Sequence, residues 1–436
     1  MRALTWPVPV LLILAAPSFA GASPLPSEGG SLAADLIGLA QTDDRNAGET
    51  VARTLRAIAR ADGVEVPEAS PCHSLADALR LHAVRLKIPA PPVPASLGPD
   101  LERTLGCLLG AVHAANLAMD GTMEGWSSQE IFDLYHSEDE PSDALLDLLV
   151  GRSHDANLIA AIHMAEAVEV ALPVLSSVTM SSASPPLIDL PPILALDALD
   201  DTLRDKNYAL SIDLLGDDTY DNHAGGIFLA VGNAFYEVES GSPWFTTTQG
   251  GQNVAVAGNT QDADFAFSVG LAIDIAGNDT WGVKRDPILA DLANGCGTSP
   301  RVPIVDTIGG GVFGVGMAFD LSGDNHYYGR TQTQGAGHVL GVGVLYTGPG
   351  KDDHEAVRAA MGSGLFGGIG VLIDAGGDST YTLTAPTGGA FNGDRHICDA
   401  DPRYGMGSSF DRKEGTGAPP SKQYGLLIDV GGNDTY

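Results

Sequence analysis

The second half of the chain repeats a short pattern of apolar and polar positions. Each copy has a small residue, three mostly apolar residues, Asp, two variable residues, Gly, two Asx-like residues, Thr or a similar residue, and an aromatic residue. The clear copies occupy residues 209–220, 270–281, 316–327, 370–381 and 425–436, and a weaker copy occupies 343–354. An apolar run followed by Gly and Asx residues is typical of a short strand and a tight turn. Such repetition predicts stacked structural units.

The spacing of equivalent positions predicts how the units stack. Asp320, Thr347 and Asp374 are 27 residues apart, and the other intervals are longer. We therefore predict a parallel β-solenoid with coils of about 27 residues and loop insertions, in which the region 232–237 is an additional worn coil. A sandwich of β-hairpins is the competing fold, but it predicts no fixed register.

Stacking of these coils would align equivalent side chains. We expect one apolar ladder, formed by Ile212, Ile273, Phe319, Tyr346, Ile373 and Ile428. We expect an aromatic ladder formed by Tyr220, Trp281, Tyr327, Tyr381 and Tyr436, with His354 in one position.

The first half of the chain has helical periodicity instead. Apolar residues recur three and four apart in the segments 31–39, 50–61, 74–86, 100–120, 127–135, 143–150 and 155–175. The predicted fold class is therefore α+β and multidomain, with an N-terminal α-helical domain followed by the β-solenoid. The predicted boundaries are a signal peptide at 1–22, the helical domain at 23–180, a linker and solenoid entry at 181–208, and the β-solenoid repeat domain with loop insertions at 209–436.

The N-terminus resembles a secretory signal. Arg2 supplies a positive start, residues 8–16 form a short apolar run, and residues 18–20 provide small residues for cleavage. No other stretch was expected to reach membrane-spanning length, so the pattern predicts a secreted or cell-surface protein without membrane insertion. Because the sequence stops inside a well-formed repeat, we also expect it to be a fragment of a longer protein.

The net charge of the chain limits which kinds of molecule it can bind. The 436 residues carry a formal net charge of −32, with a pI near 4.4 and a mean hydropathy of +0.06. Nucleic acids and anionic membranes would repel such a chain, which excludes them as partners. The charge fits a cation-binding protein or adaptation to high salt.

Four cysteines are present, at positions 72, 107, 296 and 398. In an oxidising compartment they would pair, and the simplest pairing is Cys72 with Cys107 and Cys296 with Cys398. Four buried thiols are the alternative.

The repeated turn brings several oxygen ligands to the same place in every unit. Such hard ligands select Ca²⁺, whereas Asx side chains that only cap turns are the alternative. The candidate metal ligands are Asp213, Asp217, Asp218, Asp274, Asn278, Asp279, Asp320, Asp324, Asn325, Asp374, Asp378, Asp429, Asn433 and Asp434. The turn from Thr347 to Lys351 was expected to be the poorest site, because it loses an anion and gains a cation.

The segments 216–220, 277–281 and 432–436 resemble the core of RTX calcium-binding repeats, whose Gly- and Asp-rich turns bind Ca²⁺ in a parallel β-roll. RTX repeats recur every nine residues, whereas here one turn occurs in 27 or more, so their coordination pattern does not carry over directly. The longer pattern is also similar to that of secreted bacterial and archaeal proteins with GGDD-Tyr repeats.

These observations favour a non-catalytic exported or cell-surface repeat protein that binds Ca²⁺ for structural stiffening and extracellular interaction. Its partner would be an extracellular polysaccharide or a surface protein. The alternative is a parallel β-helix enzyme, a lyase or glycoside hydrolase acting on polysaccharide, in which Asp274 and Asp320 are an acid and base pair or hold a catalytic Ca²⁺. The sequence contains no HExxH motif, no Gly-x-Ser-x-Gly elbow and no CxxC pair, so an enzyme is the less favoured interpretation.

Overall fold

The computed structural model describes several separated parts of the chain. These are residues 10–14, 32, 36, 46–95, 97–122, 124, 149, 151–178, 188–191, 193–198, 203–204, 208–217, 219–220, 269–281, 308–329, 331–356, 358–383, 409–410 and 422–436. The predicted features at 18–20, 127–135 and 232–237 lie outside these residues, as do Asp218, Cys296 and Cys398.

Four helices are found among the described residues, where the periodicity predicts them. They are α1 (Ala47–Asp62), α2 (Leu75–Arg85), α3 (Pro99–Thr122) and α4 (Asp155–Ser177). Helix α2 begins at the predicted serine cap, because Ser74 accepts a hydrogen bond from the backbone N–H of Asp77. Helix α1 ends at Gly63, whose positive φ of 72° suits a left-handed C-cap.

The helices form a packed layer. Helix α4 packs against both α1 and α3, and α2 packs against α3. The predicted disulfide between Cys72 and Cys107 is present and links the segment before α2 to α3. By closing a loop of this length, it stabilises the helical layer by about 3–4 kcal/mol in the chain-entropy picture.

The described strands form one large sheet and three smaller ones. In chain order they are β1 (Val10–Leu14), β2 (Ile188–Leu190), β3 (Leu194–Asp197), β4 (Leu203–Arg204), β5 (Leu210–Asp213), β6 (Thr219–Tyr220), β7 (Gly270–Asp274), β8 (Thr280–Trp281), β9 (Gly311–Val312), β10 (Val315–Asp320), β11 (His326–Tyr328), β12 (Thr331–Thr333), β13 (Gly337–His338), β14 (Val342–Thr347), β15 (Asp353–Ala356), β16 (Arg358–Ala360), β17 (Gly364–Leu365), β18 (Ile369–Asp374), β19 (Thr380–Leu383), β20 (Ser409–Phe410) and β21 (Tyr424–Val430).

The large sheet has nine strands in the order β1-β21-β18-β14-β10-β7-β5-β3-β2. Its interior strands are parallel, and the pairs β1–β21 and β2–β3 at its two edges are antiparallel. A parallel six-stranded sheet follows the order β19-β15-β11-β8-β6-β4. The remaining sheets have four strands (β20-β17-β13-β9) and two strands (β12-β16).

The predicted fold class is therefore wrong. Instead of a parallel β-solenoid, the structure has four helices packed with a mixed sheet and small parallel sheets. The repeat pattern specifies which strands are neighbours, but it contains no signal for the antiparallel strands that close both edges. Among the described strands of the large sheet, the 27-residue interval relates only β10, β14 and β18.

The predicted alignment of equivalent residues is nevertheless confirmed within the sheets. The positions of the apolar ladder pair in register from Ile212 to Ile428 through β5, β7, β10, β14, β18 and β21. The aromatic positions pair from Tyr220 through Trp281, Tyr327 and His354 to Tyr381. Parallel pairing therefore brings the turns of all these units to one edge of the large sheet.

Helices and large sheet share one core. Buried apolar side chains from α1 to α4 and from the sheet form a continuous cluster that includes Leu55, Leu109, Ile162, Phe319 and Val344. Two polar residues near the start of α4 bond to the other layer. His154 Nδ1 lies 2.8 Å from the carbonyl oxygen of Gly367, and Asn157 Nδ2 donates to the carbonyl oxygens of Phe313 and Leu340 at 2.9 Å.

The substitution Asn157→Ala is expected to destabilise the protein by about 2 kcal/mol, because it removes two buried hydrogen bonds between α4 and the other layer. Urea unfolding followed by circular dichroism measures this change. Ser177→Ala, at the exposed end of the same helix, removes a bond to Val174 only and should change stability little. Equal unfolding midpoints for the two variants would contradict a role for Asn157 in joining the layers.

Helix α4 also bears on the membrane prediction. The helix has 23 residues, and its most apolar 18-residue window has a mean hydropathy of 1.8, so by length and composition it could cross a membrane. The expectation that no such stretch follows the signal is therefore wrong by length and composition. In the structure 56% of its most apolar window is buried, and the helix packs between α1 and α3 and against the large sheet. This is the usual situation of a core helix.

Candidate metal-binding site at the stacked turns

The last residues of the large-sheet strands form a buried column, which we call the inner column. It contains Asp213, Asp274, Asp320, Thr347, Asp374 and Asp429, which pair in register from strand to strand. All six are at most 2% exposed. The predicted alignment of these aspartates is confirmed, but they face the interior rather than solvent.

The inner aspartates hold their own turns. The Oδ1 atoms of Asp213, Asp274 and Asp374 accept hydrogen bonds from the backbone N–H two residues later, at 3.1, 3.1 and 2.9 Å. This is the geometry of an Asx turn.

The inner aspartates also bond to the aromatic ladder. Asp320 Oδ2 accepts bonds of 2.7 Å from both the Tyr327 hydroxyl and the Trp281 indole N–H. Asp374 Oδ2 accepts a bond of 2.6 Å from the Tyr381 hydroxyl, and Asp429 accepts one from Tyr436. The Asp and the aromatic residue seven positions later are therefore a bonded pair in three units.

A second row, the outer row, lies on the exposed side of the turns. It contains Asp217, Asn278, Asp324, Lys351, Asp378 and Asn433. The side-chain oxygen of one unit accepts a bond from the backbone N–H of the next, as in Asp217 to Asn278, Asn278 to Asp324 and Asp324 to Lys351, at 2.9, 2.9 and 2.8 Å. Asp378 bonds to Asn433 in the same way at 2.9 Å. These bonds join neighbouring turns.

The next residue of each turn forms a middle row, in which the bonds run in the opposite direction. Its members are Asp279, Asn325, Asp352, Ser379 and Asp434. Asn325 Oδ1 accepts from the N–H of Asp279 at 2.7 Å, Asp352 Oδ1 from that of Asn325 at 3.0 Å, and Asp434 Oδ1 from that of Ser379 at 2.8 Å. Each turn is thus bonded to the turns on both sides of it.

These contacts separate the predicted ligands into two groups. Inner and middle residues are mostly buried and satisfy turn N–H groups and ring donors, which favours the turn-capping role for them. The outer-row residues are exposed, so their remaining oxygen atoms can meet a cation from solvent. Calcium binding remains a prediction for the described members of the set.

Burial changes the acid–base properties of the carboxylates. It raises the pKa of Asp320 well above its usual range, and the nearby charges of Asp279 and Asp352 raise it further. Burial likewise raises the pKa of Asp352 to about 8 and that of Asp429 to about 7. These groups therefore favour a bound proton or a cation in the folded state.

The unit that the sequence ranked lowest contains a cluster that the sequence reasoning missed. One ligand atom each from Asp352, His354 and Asp374 lies within 4.8 Å of the others, and all three residues are buried. Asp374 was among the predicted ligands, whereas Asp352 and His354 were not. The available signal was a double replacement, since this unit has Thr347 in place of Asp and His354 in place of the aromatic residue.

Comparisons with protein-family models, curated protein sequences and solved structures gave no match to this chain. The resemblance to RTX and GGDD-Tyr repeats remains a prediction. The functional argument therefore depends on the residues themselves.

Proposed function

We propose that this is a non-catalytic exported protein that acts as a rigid acidic scaffold in an extracellular setting. We further propose that it binds Ca²⁺ along the outer row of its turns. The observation that carries this proposal is the exposed outer row, in which Asp324 and Asp378 recur at the same turn position and each is tied by one side-chain oxygen to a backbone N–H of another unit.

Electrostatics supports the calcium part of the proposal. Outer-row residues on adjacent strands do not carry like charges, and Lys351 separates Asp324 from Asp378, so the electrostatic support comes from the charge of the whole chain. The chain as a whole carries a charge of −32, which concentrates cations near its surface. Carboxylate oxygens are ligands that Ca²⁺ prefers.

The turns already hold one another through the bonds of the outer and middle rows. Calcium would therefore stiffen a folded structure rather than induce folding. Export is supported by the predicted signal at 1–22, whose cleavage would remove β1 from the edge of the large sheet, and by the disulfide between Cys72 and Cys107, since disulfides persist in oxidising compartments.

The buried state of the inner column also supports a non-catalytic role. Asp274 and Asp320, the acid and base pair of the enzyme hypothesis, are both 0% exposed. A polysaccharide could not reach them without opening the turns, so this observation does not favour the enzyme.

Millimolar Ca²⁺ is expected to raise the thermal midpoint of the purified protein, and a chelator should reverse the increase. A concentration ten times the Kd adds about 1.4 kcal/mol of stability. For a chain of this size, each kcal/mol of added stability raises the thermal midpoint by at most about 2–4 °C. Differential scanning calorimetry with and without Ca²⁺ measures the shift.

The double variant Asp324→Asn/Asp378→Asn tests whether the outer row is responsible. Asparagine retains the oxygen that accepts the turn N–H but removes the charge, so the response to Ca²⁺ should fall strongly. The control Glu68→Gln/Asp100→Asn changes the net charge equally at exposed positions outside the turns and should retain the response. Equal responses in the two double variants, or no response in the wild type, would overturn the calcium proposal.

A further inference from the structure

The unit containing β14 and β15 lacks the bond that three other described units make. Elsewhere the inner aspartate accepts a bond from a tyrosine hydroxyl, as in the pairs Asp320–Tyr327 and Asp374–Tyr381. Here the two positions are Thr347 and His354, and both side chains are shorter than those they replace. Thr347 Oγ1 and His354 Nε2 are buried and have no hydrogen-bond partner. The double replacement therefore leaves two buried polar atoms without hydrogen bonds.

Packing holds the His354 ring firmly in place. The ring stacks between Tyr327 and Tyr381, with centroid distances of 4.6 and 4.9 Å and interplanar angles of 8° and 3°. The side chain is 0% exposed. Its ring plane is consequently fixed by its neighbours on both sides.

Gln334 fixes the protonation state of the ring. Its Nε2 donates hydrogen bonds of 3.0 Å to the carbonyl oxygens of Tyr327 and Glu355, so its Oε1 faces His354 Nδ1 at 3.2 Å. Because Oε1 can only accept, the ring proton lies on Nδ1. Nε2 then presents an unprotonated lone pair. A second hydrogen bond of this kind commonly orients metal-ligating histidines.

Two carboxylates lie close to this ring. Asp352 Oδ2 is buried without a hydrogen-bond partner, whereas Asp352 Oδ1 accepts the bond from Asn325. Asp374 comes from β18, the next strand of the large sheet. Its oxygens accept bonds from Tyr381 and Gly376, and each oxygen retains a further lone pair.

We propose that Asp352, His354 and Asp374 form a buried binding site for a divalent transition metal of the Zn²⁺ class. A neutral imidazole nitrogen with two carboxylate oxygens is a ligand set that suits Zn²⁺ better than Ca²⁺, which prefers six to eight oxygen ligands. The Thr347 hydroxyl or a water molecule would complete a four-coordinate site. A divalent ion would neutralise two carboxylates held in a buried environment, and would join two strands of the large sheet. This site is independent of the proposed calcium row.

The test measures Zn²⁺ bound to the full-length protein, by calorimetric titration of folded protein and by metal analysis after refolding with Zn²⁺ and dialysis. Refolding in the presence of Zn²⁺ is included because an ion reaches a buried site more easily before the protein has folded around it. We expect one tightly held ion per chain in the wild type. The variant Thr347→Asp/His354→Tyr restores the residue pair of the neighbouring units, so it should fold normally and lose at least about 100-fold in affinity.

The variant His326→Ala is the matched control. His326 is exposed beside Asp353, with Nδ1 and Oδ2 3.5 Å apart, and represents adventitious surface binding. It should retain the bound ion. The proposal is overturned if the wild type takes up no Zn²⁺ in either procedure, if the Thr347→Asp/His354→Tyr variant retains the ion, or if His326→Ala loses it. If the protein did not respond to Ca²⁺, the calcium proposal would fail while the Zn²⁺ measurement would still decide this one.

Discussion

Replacing Gly377 by alanine is expected to prevent stable folding of the repeat region, with a loss of more than about 4 kcal/mol. A Cβ atom at this position would lie 1.4 Å from the carbonyl oxygen of Gly350 in the adjacent turn, and the φ of Gly377 is +138°. The obstacle is backbone, so no side-chain rotation can relieve it. The contact recurs along the stack, since a Cβ on Gly323 or Gly432 would lie 1.6 Å from the preceding turn's glycine oxygen.

Urea unfolding and soluble yield measure this effect. The matched control is Gly121→Ala in helix α3, where a new Cβ would meet nothing within 4 Å. Alanine is favoured in a helix, so this variant should be neutral or more stable by up to about 1 kcal/mol. Similar unfolding midpoints for the two variants would mean that the turns are not packed as closely as the structure indicates.

The second large effect is expected at Asp320. Asp320→Ala removes the acceptor of both the Trp281 indole and the Tyr327 hydroxyl, which are buried, and should cost about 4 kcal/mol. Asp320→Asn can place its carbonyl oxygen at Oδ2 and its amide at Oδ1, an atom without a partner in the wild type. The asparagine variant should therefore remain folded.

The pH dependence of the free energy of unfolding shows whether Asp320 is charged or protonated in the folded protein. Burial raises the pKa of Asp320 in the folded state, whereas an unfolded aspartate titrates near about 3.9. As pH rises above that value, the unfolded state releases its proton while the folded state retains one, so wild-type stability falls. Asparagine cannot titrate, and the stability of Asp320→Asn relative to wild type should increase between about pH 4 and pH 8. A constant difference across this range would show that Asp320 is ionised in the folded protein.

Much of the local structure was predictable because its signals lie within a few residues. The cap at Ser74 and the apolar periodicity of residues 155–175 are such signals, and they correspond to α2 and α4. The alignment of Ile273, Phe319 and Ile373 followed from the position of each residue within its repeat. The two edges of the large sheet could not be predicted in this way, because β1 and β2 lie outside the repeat pattern.

The site was predicted less well, for a physical reason. By its number of carboxylates, the turn with Thr347 and Lys351 is the poorest metal site. Whether a turn can bind a metal, however, depends on which of its oxygen and nitrogen atoms have no hydrogen-bond partner. In three other described units the aspartate accepts a bond from a tyrosine hydroxyl, as in Asp374–Tyr381. Only side-chain packing shows that His354 Nε2 and Asp352 Oδ2 lack such partners. The sequence signal was the simultaneous replacement of two residues seven positions apart.

The hydrogen bonds between neighbouring turns involve atoms of the turns alone, so they do not depend on the loops that connect the units. The same register joins Asp213 to Asp274, 61 residues apart, and Asp320 to Thr347, 27 residues apart. The length of chain between an aromatic residue and the following large-sheet strand is therefore not part of what aligns the strands. Peptides grafted between β19 and β20 should therefore leave the pairing of β18 with β21 unchanged, which makes this segment a natural place for epitope display.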